Sequence, residues 1–434
     1  MKMPTVSLRA DRWRCLSLVL VLVAGTVSAD WPQWRGPNRD GHADDGQYLQ
    51  QWPEGGPAMA WQNDKLGIGY SSPAMVDGRI YTMGSLDGQC YLHCISADDG
   101  SMIWSTPFCR AGTGDDYMDG WGGGPRGTPT VDGDQIFVVS DIGVVAAFDL
   151  TGQLQWKVDM VEQFGGEIPK WGYSESPLVD GDKVLVTPGR RMFIVGLDRK
   201  TGDVTWTTKG IEEPAQYVSI VKGELDGKPY YVTAVKAGLI GIDANTGRQI
   251  FMEPATGNQT AVIPTAVIDG SLIYHTSDYN AGNQLIELSS DGDRLTAEVL
   301  YAESAKSMQN HHGGVVLVDG VIYGCSRTNR GEWMAQDHRS GEVLWTQLAR
   351  PNQSGSIAFA DGRLYCYGDK DGIVRLVVPN REGFQQVGEL KLPKTFDGNR
   401  GSNNRGAIWS HPVVADGMLF IRDQNLMFAF NIAR

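Results

Sequence analysis

Residues 148–156 read Phe148-Asp149-Leu150-Thr151-Gly152-Gln153-Leu154-Gln155-Trp156, and close variants return four more times along the chain. They run from Ile95 through Asp98-Asp99-Gly100 to Trp104, from Leu197 through Asp198-Arg199-Lys200-Thr201-Gly202 to Trp206, from Ile242 through Asp243-Ala244-Asn245-Thr246-Gly247 to Phe251, and from Gln336 through Asp337-His338-Arg339-Ser340-Gly341 to Trp345. The aromatic always stands four residues after the glycine. An apolar run such as Gly143-Val144-Val145-Ala146-Ala147-Phe148 comes before the turn. Each copy therefore predicts a strand, a turn held by an Asp side chain bonded to nearby backbone N–H groups, and a second strand carrying an aromatic.

Between these units lies a second signal, Asp-Gly flanked by β-rich runs, at Asp77-Gly78, Asp132-Gly133, Asp180-Gly181, Asp226-Gly227, Asp269-Gly270, Asp319-Gly320, Asp361-Gly362 and Asp416-Gly417. A tight hairpin turn needs positive φ, which these residues supply. The hairpin gives strands A and B, and the Asp-to-aromatic unit gives strands C and D, with a period of roughly fifty residues. Four antiparallel strands cannot bury both faces alone, so consecutive sheets must stack around an axis. The fold class is all-β, an eight-bladed β-propeller with four-stranded antiparallel blades. Trp104, Trp156, Trp206, Phe251 and Trp345 are expected to dock on the glycine-containing turn of the next blade.

Closure is also legible. The last repeat supplies A, B and C and ends at Arg434 without a D strand, while Ala58-Met59-Ala60-Trp61 stands alone before the first A strand. This N-terminal strand is expected to complete the eighth blade and remove an open edge. The division is then 1–29 signal peptide, 30–57 capping segment and 58–434 a single propeller domain, which is expected to be a monomer.

The signal peptide is read from Lys2, Arg9, Arg12 and Arg14 before the apolar run Leu16 to Ala24, followed by Val27-Ser28-Ala29. That run is well short of the roughly 20 residues a membrane span requires, so export by cleavage is expected, into the periplasm or medium, with no membrane span afterwards. The formal charge is −13, and losing four cations and one acid with the leader takes it lower. Nucleic acid and anionic lipid are disfavoured, since their binding draws on clustered Lys and Arg; a basic or neutral partner is favoured. Cys90, Cys94, Cys109, Cys325 and Cys366 remain. Cys90 and Cys94 are about 13 Å apart along a strand, too far to bond to each other, and no Cys-x-x-Cys is present. Buried free thiols are expected, and no metal site.

The Asp-x-x-Thr-Gly-x-x-x-Trp motif resembles the tryptophan-docking repeat of the pyrroloquinoline-quinone (PQQ)-like, or quinoprotein alcohol dehydrogenase-like, propellers, over residues 58–431. The opening Trp31-Pro32-Gln33-Trp34-Arg35-Gly36-Pro37-Asn38-Arg39-Asp40-Gly41 resembles the start of exported planctomycete-type members. The resemblance implies two functional classes: dehydrogenases that hold PQQ and Ca²⁺ at the axis, and cofactor-free scaffolds such as the lipoprotein propeller of the outer-membrane barrel assembly machinery. Fold alone does not choose between them.

A site should lie on the face formed by the D-to-A and B-to-C connections, because variable loops on a rigid scaffold carry binding groups. Trp121, Arg126, Tyr173, Glu175, Tyr217, His311, His312, Arg405, Trp409 and His411 precede or begin the inner strands and are expected to converge at the channel mouth. Of the adjacent His311 and His312, one at most should face the channel, since neighbours on a strand point to opposite sides. Glu175, Asn403 and Asn404 are the candidates for oxygen ligands to Ca²⁺, and catalytic residues are not identified. The first expectation is a non-catalytic binding or scaffold protein recognising a protein, peptide or glycan of the cell envelope. The alternative is a PQQ- and Ca-dependent dehydrogenase of alcohols or sugars.

Overall fold

A computed structural model describes residues 1–4, 30–43, 46–292, 294–304 and 306–434, and all but the first four residues of the expected leader 1–29 lie outside them. Eight four-stranded antiparallel sheets form the blades of a propeller, seven of them with their strands in sequence order from the axis outward. The inner A strands are Ala74–Val76, Thr130–Asp132, Leu178–Asp180, Val221–Leu225, Val267–Asp269, Asn310–Val318, Gly355–Ala360 and Val413–Ala415. Burial follows position: the C strand Val144–Asp149 is buried almost throughout, whereas the D strand Met102–Arg110 alternates between exposed and covered.

The eight Asp-Gly pairs resolve into two kinds of hairpin. In five, typified by Val76 opposite Arg79, Asp and Gly are the two central residues and both have positive φ, the type I′ pattern. At Asp132, Asp180 and Asp269 the turn begins one residue later. Here Asp132 pairs with Gln135, and positive φ falls on Gly133 but not on its neighbours, the II′ pattern.

In the C-to-D turns the Asp side chains cap the backbone as expected: Asp149 Oδ1 accepts from the N–H of Thr151 and Gln153, and Asp198 Oδ1 from Lys200 and Thr201. Trp104 then donates its indole N–H to Leu150 O, Trp156 to Arg199 O and Trp345 to Asn380 O, each in the following blade. A Cβ on Gly152 would lie 2.7 Å from the Trp104 ring, and on Gly202 2.8 Å from that of Trp156, so only glycine leaves room there. Trp61 and Tyr301 take the same dock, on Ala97 O and His338 O, although neither stands in the motif.

Trp206 and Phe251 differ from expectation. The next blade's Gly247 packs against the backbone of Thr207 and Thr208, just past Trp206, so the indole meets Tyr231 edge-on at 5.5 Å and its buried N–H has no partner among the described residues. Phe251 folds back beneath Gly241 of its own blade.

Blade eight closes as anticipated. Met59–Asn63 pairs antiparallel with Leu426–Asn431, placing Trp61 opposite Ala429. Arg422 reinforces the seam, donating from the eighth blade to Ser71 O and Met83 O near the first inner strand.

The segment 31–43 crosses the axis and touches the inner strand, or the residues leading into it, of every blade. Trp31 bridges Met75, Pro32 O accepts from Val131 N, and Trp34 Nε1 donates to Thr265 Oγ1 at 2.9 Å. Arg39 reaches Ser176 O and Ile220 O, Arg35 reaches Gly313 O, and His42 bridges Phe359. Trp34 lies 4.4 Å from His411, completing the circuit. Both arginines are buried against carbonyls, and desolvation lowers them, Arg35 to about 10 and Arg39 to about 9.

Candidate functional site

With the axis crossed by this segment, the D-to-A and B-to-C loops above it enclose a cavity of about 410 Å³. Of the ten residues expected at the channel mouth, Trp121, Arg126, Tyr217, His311, His312, Arg405, Trp409 and His411 line it. Tyr173 and Glu175 do not: both lie in irregular chain ahead of the strand Leu178–Asp180, Tyr173 packing into the apolar cluster between blades two and three, while Trp171 and Ser174 face the cavity. Tyr173 donates to Pro188 O at 3.1 Å, and Glu175 accepts from Thr187 N. Burial pushes the Glu175 carboxyl up to about 7, partly opposed by Arg39.

His311 and His312 both line the cavity, contrary to the alternation argument. Their strand loses its register with its neighbour between Asn310 and Val315, and Gly314 takes φ +67°, so consecutive side chains are no longer forced apart. His311 Nε2 lies 3.1 Å from Tyr279 Oη, and His312 Nδ1 lies 3.1 Å from Ser354 Oγ.

The walls also include residues that the sequence did not single out. Trp34 belongs to the axial segment, Tyr70 precedes the first A strand, Trp171 comes from a D-to-A loop, and Tyr279, Arg327, Asp369 and Lys370 come from B-to-C connections. Seven aromatic rings and four cations result. Arg126 lies 5.1 Å above Tyr70, Arg405 5.7 Å from Trp121 and Arg327 6.0 Å from Tyr279. Among lining residues Asp369 alone is a carboxylate, and burial raises it to about 6 despite two backbone N–H donors. Arg327 is paired at 2.8 Å with Asp278.

His311, His312 and His411 are held well below the ordinary imidazole range, chiefly by burial, His312 at about 3. The lining can stack rings and neutralise anions.

A family model described as outer membrane protein assembly factor BamB matches residues 50–206 and 91–347, overlapping as repeats do. The chain belongs to this family of PQQ-like propellers. No curated protein matches the chain in sequence. Among solved structures, BamB from Moraxella catarrhalis is 17% identical with a TM-score of 0.57, over 83% of this chain and 94% of that one. Quinohemoprotein alcohol dehydrogenase from Comamonas testosteroni is 12% identical with a TM-score of 0.62, over 93% and 80%. The computationally designed Ika8 protein is 12% identical with a TM-score of 0.52, over 89% and 100%. At these identities the likeness is one of fold.

The quinone and Ca²⁺ of the dehydrogenase class can be tested against the lining. Calcium takes about 6–8 oxygen ligands. Glu175 faces away, Asn404 Oδ1 is used by Arg400 N, and Asn403 packs on Gly120. Asp369 stands by itself as a carboxylate beside Arg327 and Lys370. Among the described residues no three His, Cys, Asp or Glu side chains group as metal ligands. The cations suit carboxylates of any origin, but the donor set does not fit a calcium-assisted quinone.

Proposed function

We propose that this propeller is a non-catalytic binding protein of the cell envelope, holding a protein, peptide or glycan on the loop face around its axial cavity. The observation that carries the reading is the lining: seven aromatic rings with Arg126, Arg327, Lys370 and Arg405 on a chain whose formal charge is −13. Net charge alone favours a basic or neutral partner, whereas the local field favours a group that brings negative charge and flat apolar faces into the cavity. The leader-like start and the family's description as an outer membrane assembly factor support the envelope as the place of work. No helix among the described residues is long and apolar enough to cross a membrane. Residues 30–57 then serve as the cap that floors the cavity through Trp34, and 58–434 as the propeller.

The test is to titrate the purified chain with PQQ and Ca²⁺ and to follow bound-cofactor absorbance and alcohol-dependent dye reduction. No saturable binding at micromolar cofactor is expected. Stoichiometric binding with turnover would overturn the proposal in favour of a dehydrogenase.

A further inference from the structure

Cys90 and Cys109 stand directly opposite each other on strands C and D of the first blade, Gln89–Ser96 and Met102–Arg110. Opposed residues in an antiparallel pair have Cα atoms about 4.5–5.5 Å apart, inside the roughly 4.4–6.8 Å that a disulfide bridges. Both side chains join the apolar cluster between blades one and two, Cys90 fully buried and Cys109 half-buried, and the two thiols are within hydrogen-bonding reach of each other. Cys90 Sγ also donates to Asp141 Oδ1 at 3.4 Å.

The same Asp141 anchors the loop that follows Cys109. Its Oδ2 accepts from Gly112 N at 3.0 Å and from Tyr117 Oη at 2.7 Å. That loop carries Trp121 and Arg126 into the cavity wall.

We propose that Cys90 and Cys109 form a disulfide that fixes the stem of this loop, so that the redox state of the pair governs one wall of the axial cavity. The oxidant is an external disulfide, small or protein-borne. Cys109, the accessible partner, attacks it as the thiolate; the external S–S bond breaks, one thiol leaves, and a mixed disulfide remains. Cys90 Sγ then attacks Cys109 Sγ, and its proton goes to the departing sulfur, which leaves as the second thiol. The pair gives up two electrons and two protons, and the external disulfide takes up both. The proposal rests on the envelope reading only for its oxidising surroundings.

The test uses the full chain, reduced, equilibrated with glutathione disulfide, blocked with N-ethylmaleimide and cut with trypsin. No Lys or Arg lies between Arg79 and Arg110, so residues 80–110 emerge as one peptide holding Cys90, Cys94 and Cys109. The expected peptide carries a single maleimide and is otherwise two hydrogens lighter. Cleavage before Asp98 should leave its halves joined, with the maleimide on Cys94. Three maleimides, or a maleimide on Cys90, would overturn the pairing. The link should survive Cys94→Ala and vanish in Cys109→Ser. Chymotryptic nicking after Trp121 should slow several-fold on oxidation, and an unchanged rate in the bonded protein would overturn the control of the wall. Mapping the chain alkylated inside living cells separates the two readings: a reduced pair there, with bond formation in vitro, counts against export and leaves the pairing standing.

Discussion

Arg126 concentrates what the cavity offers. Its guanidinium lies over Tyr70, one N–H holds Gly122 O at 2.5 Å, and its buried Nε has no partner among the described residues. Because it pairs with no carboxylate among the described residues and sits in a loop, Arg126→Ala should leave stability within about 1 kcal/mol while weakening partner binding at least tenfold. Thermal melts beside a binding titration of the captured partner check this, and a collapse in stability with unchanged affinity would assign Arg126 to the scaffold. At this scale the sequence was legible where a residue's chain position determines its direction. Placement just before an inner strand found Trp121, Arg126, Tyr217, His311, His312, Arg405, Trp409 and His411. Tyr173 and Glu175 precede their strand in irregular chain, where position does not set direction; for His311 and His312 strand alternation misled, because their strand loses its register beside Gly314. Tyr279, Arg327 and Asp369 were missed since B-to-C connections carry no repeat-specific spelling, and Trp34 because a segment lying across the axis looks in sequence like any aromatic terminus.

Docking is a property of the C-to-D element and its neighbour, and it differs between blades that share one spelling. Trp156 is buried, stacks on Gly202 and bonds Arg199 O at 2.9 Å. Trp156→Ala should cost about 3–5 kcal/mol, as for a buried aromatic truncation. Trp206→Ala should cost less by about 1 kcal/mol or more, the worth of the net hydrogen bond it lacks. Denaturant unfolding of both variants decides, and equal losses would contradict the distinction between a docked and an undocked indole. The motif thus announces the strand pair and its turn, which depend on local chemistry. It cannot announce the dock, which depends on how the next blade's turn is displaced by its own backbone; the shift of Gly247 onto Thr207 and Thr208 is written in neither repeat alone. Tyr301 and Trp61 show the converse, reaching the dock from sequences outside the motif.

Across the whole molecule, the N-terminal part of the chain is tied in through Met59–Asn63 in blade eight, through Tyr48 bridging Ala433, and through the segment 31–43 on the axis. The blade-eight pairing was legible from a missing D strand, and the others were not. All seven histidines lie below the ordinary imidazole value, with burial the leading cause. They remain neutral when folded but take up protons when unfolded, so their contribution is present above about pH 6.5 and lost as pH falls toward their folded values, at up to about 1.4 kcal/mol per pH unit for each. Glu175, Asp278 and Asp369 are raised by burial and act oppositely, favouring the fold at low pH and losing that contribution as pH rises through their folded values. Seven groups against three should make the melting temperature fall between about pH 7 and pH 4.5, and a rise across that interval would contradict the burial of the histidines. The proposed partner is held on the loop face, away from the A-to-B turns. A photo-reactive residue placed at exposed Met118 on the loop face, and another at Asp226 on the A-to-B turns opposite, should be compared by crosslinking in living cells. A discrete adduct from Met118 that Arg126→Ala abolishes, with none from Asp226, is the expected result; the same adducts from both positions, or adducts from Asp226 alone, would contradict it.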